Sequence, residues 1–378
     1  MKLIVISLAP VAIVASFALS PSTSAVSQER QSVVCVKRAA EAKPPPFPGG
    51  PSPRRRGDKP GGTPYVAQSE PLLKSLCPEG EVPAVREFRP GGNGLMKGNP
   101  LIAPEQRLQR QGDALERKVF RSFREVYRPR RNRNPPPPPP GQPACDGIWQ
   151  DNACYYYGSA AFTRTADGGG MTTAILRPKY VDTGGSGHSL NEIAIQAGKS
   201  NGDIVELGWL VSSDQYGDSD PHIFVFHWID GVPQCYDGCN WQQYSSTYHP
   251  GQNIGSLVGR EVYNGYVFYQ GNWWAWFDNQ WLGYFPGSEW GGKFTKSALI
   301  QWFGEVASLN GIPPKTDMGT GTLPPSNNAA HMFTLCDVDA RAWVCWYRDQ
   351  QSLNRTIAAD YDIRRVGFGE TRYGGPGE

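Results

Sequence analysis

The chain has 378 residues, 39% of them hydrophobic and 19% charged, with a formal net charge of +2. That length holds one large domain or two smaller ones, and beyond the first 25 residues no stretch is apolar enough to cross a bilayer. The near-neutral total conceals a division: residues 1–144 hold 23 Lys+Arg against 11 Asp+Glu, net +12, whereas residues 145–378 hold 14 against 24, net −10.

Residues 1–25 read as a secretory signal. Lys2 supplies the positive start, Leu3 to Leu19 the apolar run, and Ser20 or Ala25 a small-residue cleavage point. A retained membrane anchor is the alternative, disfavoured because the run is short and broken by Ala and Ser. Export makes the even count of eight cysteines a sign of disulfides rather than free thiols. Residues 26–134 form a basic segment. Its Pro44–Gly62 part has the composition of disordered chain. Leu108, Leu115, Val119, Phe123 and Val126 fall near one face of a helix predicted over Pro104–Tyr127. A basic tail can bind nucleic acid, but export and the lack of interleaved aromatics argue against that partner. Pro135 to Pro140 are six consecutive prolines. They make residues 135–144 a stiff, extended linker.

All twelve tryptophans follow Cys145. From there to residue 378 short aromatic and β-branched runs alternate with Gly, Pro, Asn and Asp turns. Candidate strands are Met171–Arg177, Glu192–Gln196, Ile204–Val211, His222–Ile229, Tyr263–Tyr269, Trp273–Phe277, Ala298–Val306 and Met332–Val338. The pattern predicts an all-β, two-sheet sandwich, with Lys296–Leu309 ambiguous between helix and strand. The six cysteines here stand in near pairs, Cys145 with Cys154, Cys235 with Cys239, and Cys336 with Cys345. Local pairing is the simplest reading, although spacing leaves other connectivities open. Zinc at Cys235 and Cys239 lacks a second pair at finger spacing, so no metal is expected.

Common catalytic motifs are missing: no Gly-x-Ser-x-Gly elbow, no His-Glu-x-x-His, no glycine loop leading to Lys-Ser or Lys-Thr. His222 and His227, five apart in a strand, point to opposite faces. Carboxylates remain. In Ile204–Val211, strand alternation turns Val205, Leu207 and Trp209 one way and Ile204, Glu206, Gly208 and Leu210 the other. A carboxylate is thus set into an apolar strand, and Gly208 beside it leaves room for a ligand backbone. If Ala298–Val306 is a strand, Gln301, Phe303 and Glu305 share a face. The competing reading of either glutamate is a solvated edge residue.

These motifs resemble the neprosins, secreted glutamic endopeptidases that tend to cut after proline. The resemblance runs over most of residues 155–378. It is carried in order by Tyr156-Tyr-Gly-Ser-Ala160, Ser189-Leu-Asn-Glu-Ile193, Glu206-Leu-Gly-Trp209, Phe226-His-Trp-Ile-Asp-Gly231, Cys235-Tyr-Asp-Gly-Cys239, Gly271-Asn-Trp-Trp274, Leu282-Gly-Tyr-Phe-Pro286, Trp302-Phe-Gly-Glu305, Asp317-Met-Gly-Thr-Gly321 and Tyr373-Gly-Gly-Pro-Gly377. Upstream, Cys77-Pro-Glu-Gly-Glu-Val-Pro83 resembles the family's prosegment. The family's catalytic glutamates fall on Glu206 and Glu305. Phe303 stands where the family usually has glycine.

The resemblance implies an antiparallel β-sandwich over residues 145–378, made as a secreted precursor with residues 26–134 as its inhibitor. It implies peptide hydrolysis at acid pH by two glutamates, without a cofactor, on proline-rich protein or peptide substrates. Gln301 is a candidate to hold the oxyanion, and Trp209, Tyr284 and Trp302 are candidates to line a proline pocket. Two other functions fit glutamates on an aromatic-rich sandwich: a retaining glycoside hydrolase, and a carbohydrate- or wall-binding module without catalysis.

Overall fold

The computed structural model describes residues 33–38, 43–46, 72–86, 140, 144–150, 153–179, 187–197, 202–309, 315–347, 351–356, 360–367 and 370–377. The expected signal, the helix over Pro104–Tyr127 and all of the proline run except Pro140 lie outside these residues. The elements described below belong to one unit, Val34–Glu378.

The described chain is almost wholly β. Strands are β1 (Cys35–Lys37), β2 (Glu81–Pro83), β3 (Ile148–Gln150), β4 (Ala153–Ala166), β5 (Gly168–Ala174), β6 (Gly187–Gln196), β7 (Ile204–Val211), β8 (His222–Ile229), β9 (Val232–Pro233) and β10 (Gln242–Gln243). They continue with β11 (Glu261–Tyr269), β12 (Asn272–Phe277), β13 (Gln280–Pro286), β14 (Ser297–Leu309), β15 (Ala330–Asp339), β16 (Val344–Tyr347), β17 (Ser352–Arg355), β18 (Asp362–Gly367) and β19 (Glu370–Gly374). Among the described residues the one α-helix is the single turn Ser213–Tyr216, and no helix is long and apolar enough to cross a membrane.

Two antiparallel sheets carry the fold. An eight-stranded sheet has the order β17-β4-β14-β6-β7-β8-β9, with β3 beside β4. A nine-stranded sheet has the order β10-β13-β12-β11-β5-β15-β19-β18, with β16 beside β15. The segment left ambiguous at Lys296–Leu309 is therefore a strand, hydrogen-bonded to β4 on one side and β6 on the other.

One core cluster draws on both sheets: Ile193, Val205, Leu207, Trp209, Val225 and Trp302 from the first meet Met171, Val262, Tyr266, Trp273, Ala275 and Met332 from the second. Strand alternation sends these residues inward, and the sandwich results from burying both apolar faces at once. Two tryptophans also tie the sheets together. Trp209 Nε1 donates to the Ala174 carbonyl at 3.1 Å and Trp302 Nε1 to the Gly170 carbonyl at 3.0 Å, both on β5 of the facing sheet. Each indole thus buries its ring while satisfying its one N–H. On the outer side of the second sheet Trp276 lies over glycines: a Cβ on Gly265 would stand 2.4 Å from its ring and one on Gly170 2.9 Å.

Cys145–Cys154, Cys235–Cys239 and Cys336–Cys345 are the local disulfides the spacing predicts, and Cys35–Cys77 joins β1 to the segment just before β2. That N-terminal piece lies against the sandwich. Leu76 N–H donates to the Ser246 carbonyl at 2.6 Å, and Leu72 N–H to Asp278 Oδ2 at 3.0 Å. The Arg38 guanidinium sits 4.5 Å over the Tyr244 ring.

Candidate active site

Glu206 on β7 and Glu305 on β14 are separated by a single strand, β6. Register fixes their relation. Glu305 is level with Leu190 of β6, and Glu206 is level with Ala194. Level partners share a face, and residues 190 and 194 have the same parity, so both glutamates project from the same side. It is the side turned away from the second sheet. Between them, at the intermediate level, stands Glu192, flanked by Phe303 and Gly208. Glu305, Glu192 and Glu206 therefore form a diagonal, one carboxyl on each of three adjacent strands. Each step is a diagonal neighbour at about 7–8 Å between Cα atoms, within reach of long side chains.

All three carboxyls are fully buried. Burial of a carboxylate demands donors, and the surroundings supply them. Trp228 Nε1 donates to Glu206 Oε1 at 3.2 Å. His188 Nε2 lies 2.6 Å from Glu305 Oε1, with both side chains buried. The Tyr157 phenol also bonds Glu305, and burial followed by the charge of Glu305 pushes its titration well above the ordinary tyrosine range. Tyr236 is raised by burial, then by Glu305, Tyr155, Glu206 and Glu192. Both phenols therefore keep their protons, and that of Tyr157 serves as a donor to Glu305. Tyr155, Tyr157, Leu190, Ala194, Phe224, Phe226, Trp228, Tyr236 and Phe303 enclose the row in a second apolar cluster.

Gln301 lies on this face too. It is level with Ala194, whose small side chain separates it from Glu206. Its Nε2 approaches Ser159 Oγ at 3.4 Å, and its Oε1 accepts from Gln196 Nε2. The other predicted lining residues lie elsewhere. Trp209 and Trp302 alternate with the glutamates and point into the inter-sheet core. Tyr284 packs on Trp274 at 4.6 Å, in the cluster on the second sheet's outer side. Gly208 does not open room for a ligand: a Cβ there would meet the Asn191 carbonyl oxygen at 2.0 Å, so glycine lets β6 and β7 approach. Phe303 fills the place beside Glu192 and meets Tyr157 edge-on, with centroids 5.8 Å apart.

Sequence reasoning passed over His188 and Glu192. Their signal was present in Gly187-His-Ser-Leu-Asn-Glu192, where two titratable residues four apart share a face with Leu190. His222 and His227 do face opposite ways, level with Leu210 and Val205. Cys235 and Cys239 are bonded to each other.

An antiparallel sandwich with a buried carboxylate row on one sheet defines the class. The neprosin family model matches residues 185–376, a span that takes in β6, β7 and β14. The chain belongs to the neprosin family. Among solved structures it is similar to scytalidoglutamic peptidase bound to a transition-state analogue, at 11% identity and TM-score 0.36, over 59% of this chain and 99% of that one. A similar match is SCP-B of the eqolisin peptidases with a tripeptide, at 10% identity and TM-score 0.34, over 59% and 99%. The Bacillus licheniformis β-glucanase matches at 8% identity and TM-score 0.26, over 45% and 85%.

Proposed function

We propose that this protein is a glutamic endopeptidase that hydrolyses peptide bonds at acid pH, cutting after proline, with Glu206 and Glu305 as its catalytic pair. Membership of the neprosin family supports the reading. The observation that carries it is the diagonal row of buried carboxyls held by Trp228, His188 and Tyr157. Closely set carboxyls cannot all ionise cheaply, so in acid some stay protonated beside an ionised neighbour. The ionised member takes a proton from water as the water oxygen bonds to the peptide carbonyl carbon. The protonated member donates to the carbonyl oxygen, and the C–N bond then breaks as the leaving nitrogen takes a proton. Gln301, across Ala194 from Glu206, is a donor for the developing oxyanion.

The pair is sealed from solvent, so a substrate reaches it only after covering chain has moved. That favours a secreted precursor in which residues 26–134 inhibit residues 145–378. Charges of +11 on residues 26–134 and −10 on residues 145–378 attract at neutral pH. The attraction fades in acid as carboxylates protonate while arginines stay charged. Maturation follows from self-cleavage between Pro135 and Pro143, where the run of prolines offers many bonds after proline.

The test is a digest of a proline-containing protein by the acid-treated chain, with cut sites read by mass spectrometry and reducing sugar assayed on β-glucan in parallel. Cleavage after proline, lost in Glu206→Gln, is expected. Sugar release without peptide cleavage points to a glycosidase and rejects the reading. Neither activity points to a binding module and also rejects it.

A further inference from the structure

β6 brings two more titratable groups to Glu305, one on either side. Leu190 is level with Glu305; His188, two residues before it, is level with Ala307, and Glu192, two residues after it, is level with Phe303. All three β6 residues face the carboxylate side. His188 Nε2 reaches Glu305 Oε1 at 2.6 Å, and neither side chain meets solvent. Whether neutral or protonated, an imidazole in this contact presents an N–H to an ionised carboxylate and so favours the ionised form. Glu192 acts in the opposite sense. A negative charge one diagonal step from both Glu305 and Glu206 makes ionisation of either harder, and the dry surroundings prolong its reach. The electrostatic influence of Glu192 already extends to Tyr157 and Tyr236, which also feel Glu305.

We propose that His188 and Glu192 are opposed positioning residues that set the pH range of the glutamate pair. His188 extends the ionised state of Glu305 to lower pH, and Glu192 holds a proton on the row up to higher pH. The inference rests on the two-glutamate reading above. The other titratable groups facing this row or packed against its cluster are Tyr155 and Tyr157 from β4, Glu206 from β7, His222 from β8, Tyr236 beyond it, and Tyr216, which stacks on His222 and bonds Asp237. The tyrosines among them whose titration is raised by burial, Tyr157, Tyr216 and Tyr236, stay neutral throughout the acid range. His222 on β8 is level with Leu210 and lies two strands further from Glu305 than Leu190 does, and burial lowers its titration. Neither the phenols nor His222 reproduces a pair of opposite shifts.

The experiment measures kcat/KM against pH for the full chain, activated first in acid, on one proline-containing peptide. Wild type, His188→Phe, His188→Gln, Glu192→Gln and Glu305→Gln are compared. His188→Phe is expected to move the acid limb upward by about one pH unit. His188→Gln keeps an N–H donor and should move it less. Glu192→Gln, an isosteric change, should move it downward. Opposite shifts support the proposal. An unmoved limb in Glu192→Gln, or shifts of the same sign in His188→Phe and Glu192→Gln, overturns it. Should His188→Phe fail to fold by circular dichroism, His188→Gln and Glu192→Gln still decide the signs. Retained activity in Glu305→Gln sinks the two-glutamate reading itself. Loss of activity there, with unmoved limbs in the β6 variants, sinks this inference alone.

Discussion

On β7, Val205, Leu207 and Trp209 enter the inter-sheet core, while Ile204, Glu206, Gly208 and Leu210 line the other side, and every one of the eight strand residues is buried. Burial therefore does not tell the two sides apart. Chemistry does. The inward side of β7 is apolar, and the tryptophan N–H groups at Trp209 and Trp302 are spent on carbonyls of β5. The outward side gathers three carboxyls, a histidine and protonated phenols into one enclosed patch. The first arrangement stabilises the fold. The second keeps polar groups where desolvation is costly, as expected where a protein trades stability for chemistry.

Substitutions on the two sides should fail in different ways. The largest effect belongs to the outward side: Glu206→Gln or Glu305→Gln should lower peptide cleavage by about 10³-fold or more, since an amide neither takes nor gives the needed proton. Their melting temperatures should stay at or above that of wild type. Near-normal turnover in a folded mutant would break the comparison. On the inward side, Trp209→Ala should cost about 3–5 kcal/mol of stability in urea unfolding, from the cavity it leaves and the lost link to β5. A loss under about 1 kcal/mol would mean that the indole is not part of the core.

His227 offers a subtler test of the inward side. It is level with Val205 and packs against Phe285 and Trp290, with centroids 4.4 and 5.6 Å away. Burial lowers its titration to about 3 from an ordinary 6.5. The unfolded chain then binds a proton that the folded chain refuses. The stability is complete above about 6.5 and drains as pH falls toward 3, amounting to on the order of 3 kcal/mol by pH 4. His227→Leu should narrow the gap between unfolding midpoints at pH 7 and pH 4 by that amount. An unchanged gap would assign the acid sensitivity elsewhere. The smallest effect is expected where the N-terminal piece touches the sandwich. Asp278 accepts from both Leu72 N–H and Tyr248 OH. Asp278→Asn should weaken that anchor by about 1–2 kcal/mol, read as faster hydrogen exchange at Leu72 with exchange in β7 unchanged.

The sequence already held much of this division. Ile204–Val211 and His222–Ile229 are strands with the predicted bounds, because apolar β-branched and aromatic runs end there in turn residues. The parity argument also assigned the faces of Glu206, Trp209, Gln301 and Glu305. It failed for β4, where Tyr155-Tyr-Tyr-Gly-Ser-Ala160 is buried on both sides and has no alternation to read. It passed over β17 to β19 because they are short and carry charged residues at partly exposed positions. Above all, parity does not give register. That Glu192 falls midway between Glu305 and Glu206 depends on how β6 slides against β14 and β7. A slip of one residue would have turned Glu192 and His188 into the inter-sheet core. Trp209 and Trp302 were placed in a pocket because motif proximity to the glutamates was weighed above the side to which they turn.

The arrangement of the cross-links has a consequence for the two halves of the chain as separable bodies. All eight cysteines are paired, yet Cys35–Cys77 lies wholly before the proline-rich stretch and the other three bridges wholly after it. A single backbone cut between residues 78 and 144 therefore yields two molecules with no covalent bond between them. What remains is contact of the kind made by Leu72, Leu76 and Arg38, which dilution alone can undo. Once parted, the pieces recombine only at a rate set by their concentrations. Parting the two pieces after such a cut therefore needs no reductant.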